Sequence, residues 1–134
     1  MINDTDRQEL INYRLEQATE TIELARFLIE SGKLVVAVNR IYYGMYYAIA
    51  ALAIQNQFET SKHGQLIGWF NKNFIASGQI STDYGKILRN AYQNRTKGDY
   101  DAFVNFENEE VSKMHNEMVQ FINMVKEILA PNNQ

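Results

Sequence analysis

The run Asn39-Arg40-Ile41-Tyr42-Tyr43-Gly44-Met45-Tyr46-Tyr47 places four of the chain's eight tyrosines within six residues, directly behind an arginine. Tyrosines at positions i, i+1, i+4 and i+5 of a helix stack two by two along one side. Their rings bury well there, but each buried hydroxyl left without a partner costs about 1–3 kcal/mol. From Lys33 to about Gln57 apolar residues occur on every side of a helical repeat, the pattern of a helix buried within a bundle rather than lying on its surface. On a helical wheel Arg40, Gly44, Tyr47 and Ala51 lie within about 60° of one another, with Tyr43 beside them. The arginine therefore shares its side with a lane of small residues where another helix can approach closely.

Outward from this central helix the chain reads as further helices. Ile11, Leu15, Ala18, Ile22, Ala25 and Ile29 advance by alternating steps of four and three, one apolar stripe on a helix of about seven turns. Thr5 and Gln8 have capping-box spacing at its start, and Ser31-Gly32 provides a left-handed stop at its end. Downstream, the polar turn Thr60-Ser61-Lys62-His63-Gly64 leads into a shorter helix through Leu66, Ile67, Trp69, Phe70 and Phe74, closed near Ser77-Gly78. Ser81 or Thr82 caps a fourth helix through Ile87, Leu88, Ala91 and Tyr92 to Lys97-Gly98, and residues 99–106 form a linker. Val111, Met114, Met118, Phe121, Val125 and Ile128 mark a closing helix whose first turn holds Glu109 and Glu110, favourable at the positive end of its dipole. The one proline, Pro131, and only seven glycines leave long stretches without a breaker. The expectation is all-α: an up-and-down bundle of about five helices around a long buried central helix, as a single domain over residues 1–134.

The totals bound the function class. A chain of 134 residues with 46% hydrophobic and 22% charged residues has the composition of one soluble, compact domain. Without cysteine there is neither a disulfide framework nor a thiolate metal site. Histidines at 63 and 115 are too far apart in sequence for a zinc motif, so no metal and no cofactor is expected. The first residues lack the order of a signal peptide, and no apolar run approaches the roughly 18 residues of a membrane span. A cytoplasmic protein without membrane attachment is expected. The net charge is −3, but residues 60–97 form a basic island in which Lys62, Lys72, Lys86, Arg89, Arg95 and Lys97 face Asp83 alone. Such a cluster is either a solvated face or a contact for RNA phosphates.

Three stretches, taken in order and spacing, resemble the HEPN family of small helical-bundle proteins, and together they span most of the chain. They are Asn39 to Ala48; Ser61-Lys62-His63-Gly64 with Phe70, Phe74 and Gly78; and Arg95 with Gly98-Asp99-Tyr100 and Phe103. The resemblance implies a bundle that commonly forms a homodimer, with two lines of function. Many such proteins are metal-independent endoribonucleases and toxins, in which an arginine precedes a histidine by five to seven positions. Others form a complex with a minimal nucleotidyltransferase, as its toxin counterpart or as a substrate-binding accessory. Arg40 matches the family's arginine, but Ile41 follows it where a polar residue is usual, and Tyr47 stands where a histidine often does. Attack by a ribose 2′-hydroxyl needs a group that trades protons near neutral pH, a task suited to imidazole and not to a phenol of pKa about 10.

The preferred expectation is accordingly a binding or accessory protein, paired with a minimal nucleotidyltransferase. A ribonuclease using Arg40, with Tyr47 or His63 in place of the missing histidine, is the alternative. The candidate ligand or anion contacts are Arg40, Tyr43, Lys62, Arg95, Asp99 and Tyr100, for RNA or a nucleotide. Each residue also has a structural reading. Arg40 can tie helices through a carboxylate such as Asp99 or Glu23, the tyrosines can be aromatic core, and His63 can cap a helix. Arg95 and Asp99 can tether a turn, and His115 reads as surface.

Overall fold

The computed structural model describes residues 2–130, so Pro131 lies outside it. Five α-helices follow one another: α1 (Asp4–Glu30), α2 (Leu34–Gln55), α3 (His63–Phe70), α4 (Thr82–Tyr100) and α5 (Asn108–Leu129). A π-helical turn, Asn71–Ile75, continues α3. No strand occurs among the described residues. The fold is the expected all-α bundle, with α2 at its centre in contact with each of the other four helices.

The apolar stripe of α1 is buried or half-buried along its length, and its 27 residues give a helix about 40 Å long. The turn into α2 is closed as expected. Gly32 takes φ +76°, Lys33 N–H donates to the Leu28 carbonyl at 2.8 Å, and Gly32 N–H donates to the Ile29 carbonyl at 3.0 Å. Helix α2 ends by the same device without glycine: Gln57 sits at φ 58°, and Phe58 N–H donates to the Ala53 carbonyl at 2.9 Å. Helix α5 buries Val111, Met114, Met118, Phe121 and Val125, and Glu107 and Glu110 form a capping box at its start.

Four local expectations are corrected. Asn3, not Thr5, caps α1, accepting from Asp6 N–H at 2.8 Å, and Gln8 bonds Asn12 instead of reaching back. Helix α3 does not run unbroken to Phe74, because the wider π turn begins after Phe70. Helix α4 runs through Gly98 to Tyr100, so Asp99 and Tyr100 belong to its last turn and not to the linker. Gly98 serves close packing there, since a Cβ at this position would lie 3.3 Å from Val35. His115 is buried at 7% exposure, its Nε2 2.9 Å from the Ile22 carbonyl, so it joins α5 to α1. Among the described residues, no helix is long and apolar enough to cross a membrane, and no group of three or more His, Asp or Glu could hold a metal ion.

The lane of small residues on α2 is used as its pattern implies. A Cβ added at Gly44 would meet Met118 Sδ at 2.7 Å and Thr21 Cγ2 at 3.3 Å, so α5 and α1 approach the bare backbone here. Met118 has no exposed surface and little room to retreat. Gly44→Val is expected to lower unfolding stability by about 1–3 kcal/mol through overpacking. Urea titration checks this, and adding Met118→Ala should return part of the loss.

Candidate functional site

Helix α2 sets its tyrosines at the helical spacing that turns Tyr42 inward and leaves Tyr43, Tyr46 and Tyr47 half-buried. Tyr42 has no exposed surface. Its hydroxyl lies 3.0 Å from Nδ1 of His63, the first residue of α3. The His63 ring stacks on Tyr46 at a centroid distance of 4.1 Å and 12° between planes, and meets the Tyr43 ring edge-on at 5.6 Å. The turn residues before α3 hold this entry, with Lys62 N–H donating to Thr60 Oγ1 at 3.1 Å. His63 therefore does not cap its helix; it closes an aromatic cage.

Burial raises the pKa of the Tyr42 phenol, outweighing the opposing charge of Arg95, so the hydroxyl keeps its proton near neutral pH. The phenol and Nδ1 of His63 share one hydrogen bond, in which the tautomer of the ring decides which of them donates. Burial, and then the charge of Arg95, hold the His63 pKa below its ordinary 6.5, so the imidazole is neutral near pH 7. Burial also raises the Tyr46 phenol, opposed by the charge of Arg14 from α1.

Two guanidiniums converge on Tyr43. Arg40 lies 4.8 Å from its ring centroid, and Arg95 of α4 lies 5.5 Å from it and 5.4 Å from that of Tyr42. Arg95 Nη2 donates to the Tyr43 hydroxyl at 3.2 Å. Arg95 Nε is 2.9 Å from Asp99 Oδ2, but its N–H is not aligned with the carboxylate; the pair is a charge contact that leaves this buried hydrogen without a hydrogen bond. Arg40 donates to Asn39 Oδ1 at 3.1 and 2.8 Å, and Asn39 reaches Asp99 weakly at 3.4 Å. The tie between Arg40 and Asp99 thus runs through Asn39, and no contact joins Arg40 to Glu23, which pairs with Arg26.

Of the residues singled out in the sequence, Arg40, Tyr43, His63, Arg95 and Asp99 come together. Tyr47 stands at the edge, its ring 6.1 Å from Tyr43 and 6.2 Å from Tyr46. Lys62 is exposed beside His63, and Tyr100 is 80% exposed beyond Asp99. Asn39, Tyr42, Tyr46 and Tyr92 belong to the cage without having been assigned a role, Tyr92 through an edge contact to Tyr42 at 5.6 Å. The only sequence signal for Tyr42 and Tyr46 was the cluster itself, which does not tell which phenol turns inward. Two arginines against one carboxylate leave the site cationic while the imidazole is neutral. Chemically, it offers anion contacts, aromatic faces for stacking and one group able to exchange protons near neutral pH.

The sequence profile of the HEPN domain matches residues 11–128. A protein of Thermotoga maritima named "UPF0332 protein" is 29% identical over 124 residues, covering 92% of this chain and 94% of its own length. Two proteins of Methanocaldococcus jannaschii, each named "Putative toxin", are also similar. One is 31% identical over 92% of both chains. The other is 29% identical over 89% of this chain and 81% of its own length. With its helices, its central arginine and this match over nearly the whole sequence, the chain belongs to the HEPN domain family.

Proposed function

We propose that the protein is a toxin-type HEPN binding module whose cationic aromatic cage holds a phosphate-bearing nucleotide or RNA segment, and that it works as the partner of a minimal nucleotidyltransferase. The observation that carries the binding reading is the convergence of Arg40 and Arg95, from two helices, on the ring of Tyr43. In this reading both guanidiniums contact phosphate and Tyr43 stacks a base. Asp99 orients Arg95, and Lys62 and Tyr100 extend the contact surface on either side. The names of the archaeal relatives favour a toxin role, and the family resemblance favours the paired enzyme and a homodimer in the cytoplasm. Co-purification with a minimal nucleotidyltransferase encoded alongside tests the partner; a lone monomer that captures none removes it.

The binding claim is checked by anisotropy or calorimetry with AMP and a short single-stranded oligoribonucleotide. Removing a charge-assisted hydrogen bond worth about 1.5–3 kcal/mol corresponds to an expected loss of roughly tenfold or more in affinity for Arg40→Ala and for Arg95→Ala. Affinity indifferent to both substitutions refutes the site.

His63 supports a second reading, a metal-independent ribonuclease. In the tautomer whose Nδ1–H donates to the Tyr42 hydroxyl, the neutral imidazole keeps its lone pair on Nε2, which is suited to accept the proton of a 2′-hydroxyl as that oxygen attacks the adjacent phosphorus. The 5′-oxygen leaves and takes up a proton, giving a cyclic phosphate, and Arg40 stabilises the charge on the phosphate oxygens. Tyr47 is the proton donor to the leaving oxygen in this reading, and His63 returns its proton to solvent. Cleavage of structured RNA in the presence of chelator should then fall at least about a hundredfold in His63→Ala and Arg40→Ala, within the usual range for a general acid–base group. Cleavage that survives both, or no cleavage at all, discards the enzyme.

The cage also sets a pH dependence of stability. The unfolded chain takes up a proton on His63 near its ordinary 6.5, whereas the folded chain does so only at lower pH. The unfolded state thus binds more protons in that window, so stability rises with pH there. The contribution is complete above pH 6.5 and is lost as pH falls through the folded value. Urea midpoints measured from neutral pH downward should decline more steeply in the native chain than in His63→Asn.

A further inference from the structure

Helix α4 packs against the π turn but stands away from α3, so these two walls diverge from Ile75 toward Gly64. At the narrow end a Cβ on Gly85 would lie 3.4 Å from Ile75 Cγ2, whereas at the wide end a Cβ on Gly64 would meet nothing within 4 Å. The wedge between them is a groove of about 490 Å3, within the size range of small-molecule sites. Its floor is apolar, with Leu88 buried and Ile67 and Ile75 half-buried. Its charged lining residues are both cations, Lys86 and Arg89, neighbours three residues apart on α4. Both are exposed, and neither has an ion-pair partner among the described residues. The wall residue Tyr92 meets Tyr42 edge-on at 5.6 Å, so the groove backs onto the cage, yet Arg40, Tyr43, His63 and Arg95 take no part in its lining.

We propose that this groove is a separate site for a small organic carboxylate with an aliphatic body, which lies on Ile67, Ile75 and Leu88 while its carboxylate meets Lys86 and Arg89. The site goes beyond the nucleotide reading and does not depend on it. No carboxylate lines the groove, so a cationic ligand finds no partner there. An inorganic anion leaves the apolar floor uncovered, and an uncharged hydrocarbon leaves both cations unused. Arg89 offers a carboxylate two parallel N–H donors, and Lys86 adds charge at the same end. The narrowing at Ile75 and Gly85 sets the length of the occupant. It receives the end of a short chain, whereas a partner helix laid along a groove needs both ends open.

Calorimetry on the full chain with hexanoate, octanoate and octanol tests the site. Octanoate is expected to bind more tightly than octanol, and more tightly than hexanoate by about fourfold per added methylene, the increment for burying a CH2. In Lys86→Ala/Arg89→Ala, at two exposed positions, octanoate affinity should fall at least about fivefold, the loss expected for exposed ion pairs, while octanol affinity stays as in the native chain. No binding of octanoate, octanol held as tightly as octanoate by the native chain, or octanoate binding indifferent to the double substitution overturns the proposal. Octanoate binding lost in Arg40→Ala but kept in the double variant moves the carboxylate into the cage and overturns it as well. Failure of AMP to bind while octanoate behaves as expected removes the cage reading and leaves the groove standing.

Discussion

Tyr42 is completely buried on a helix whose neighbours are almost all apolar, so its hydroxyl has to be satisfied by a group brought from elsewhere in the chain. His63 meets that need. Because the imidazole is attached to the first residue of α3, the hydrogen bond also fixes where α3 starts, and α3 in turn positions the π turn against α4. The short helix has few buried residues of its own, Leu66 and Phe70, and depends on this anchor more than a long helix would. A polar requirement inside α2 thus helps place a whole side of the bundle.

The same cage holds charges that are only partly compensated. Asp99 serves Arg95 directly and Arg40 through Asn39, and the contact to Arg95 is poorly aligned. Stacking on Tyr43 supplies part of the remaining stabilisation. Guanidiniums kept in place by ring faces retain N–H groups free to meet an incoming anion, which an ideal bidentate ion pair would have occupied. The network therefore orders the arginines without neutralising them.

The bundle was legible because its signals are periodic and local: the α1 stripe, the all-round apolar α2, Gly32 at the turn and the α5 spacing all follow from the helical repeat. The composition of the cage was legible in part. Arg40 stands out by its motif position, and Arg95 and Asp99 by the third stretch that resembles the family, not by their sharing a helix. The partnership of Tyr42 and His63 was not, since it joins residues 21 apart and no short-range pattern specifies it. Neither was the burial of His115, whose polar neighbours Asn116 and Glu117 suggested solvent while the ring itself turns onto α1. Gly98 misled by composition: lysine followed by glycine reads as a helix end, but tertiary packing against Val35 and Phe106 carried the helix onward. That difference moved Asp99 and Tyr100 from a loop onto a rigid element.

The π turn at Asn71–Ile75 amounts to one residue more than an α-helix would use for the same rise. Asn71 and Ile75, its two ends, both line the groove beside α4. Removing one residue would rotate everything after it by about 100° around the helix axis and carry Ile75 off that wall. The groove's shape is therefore tied to a count, the number of residues between Phe70 and Ala76, more than to which side chains fill it. A single insertion or deletion between Phe70 and Ala76 would thus change the form of the surface beside the cage more than a point substitution there would.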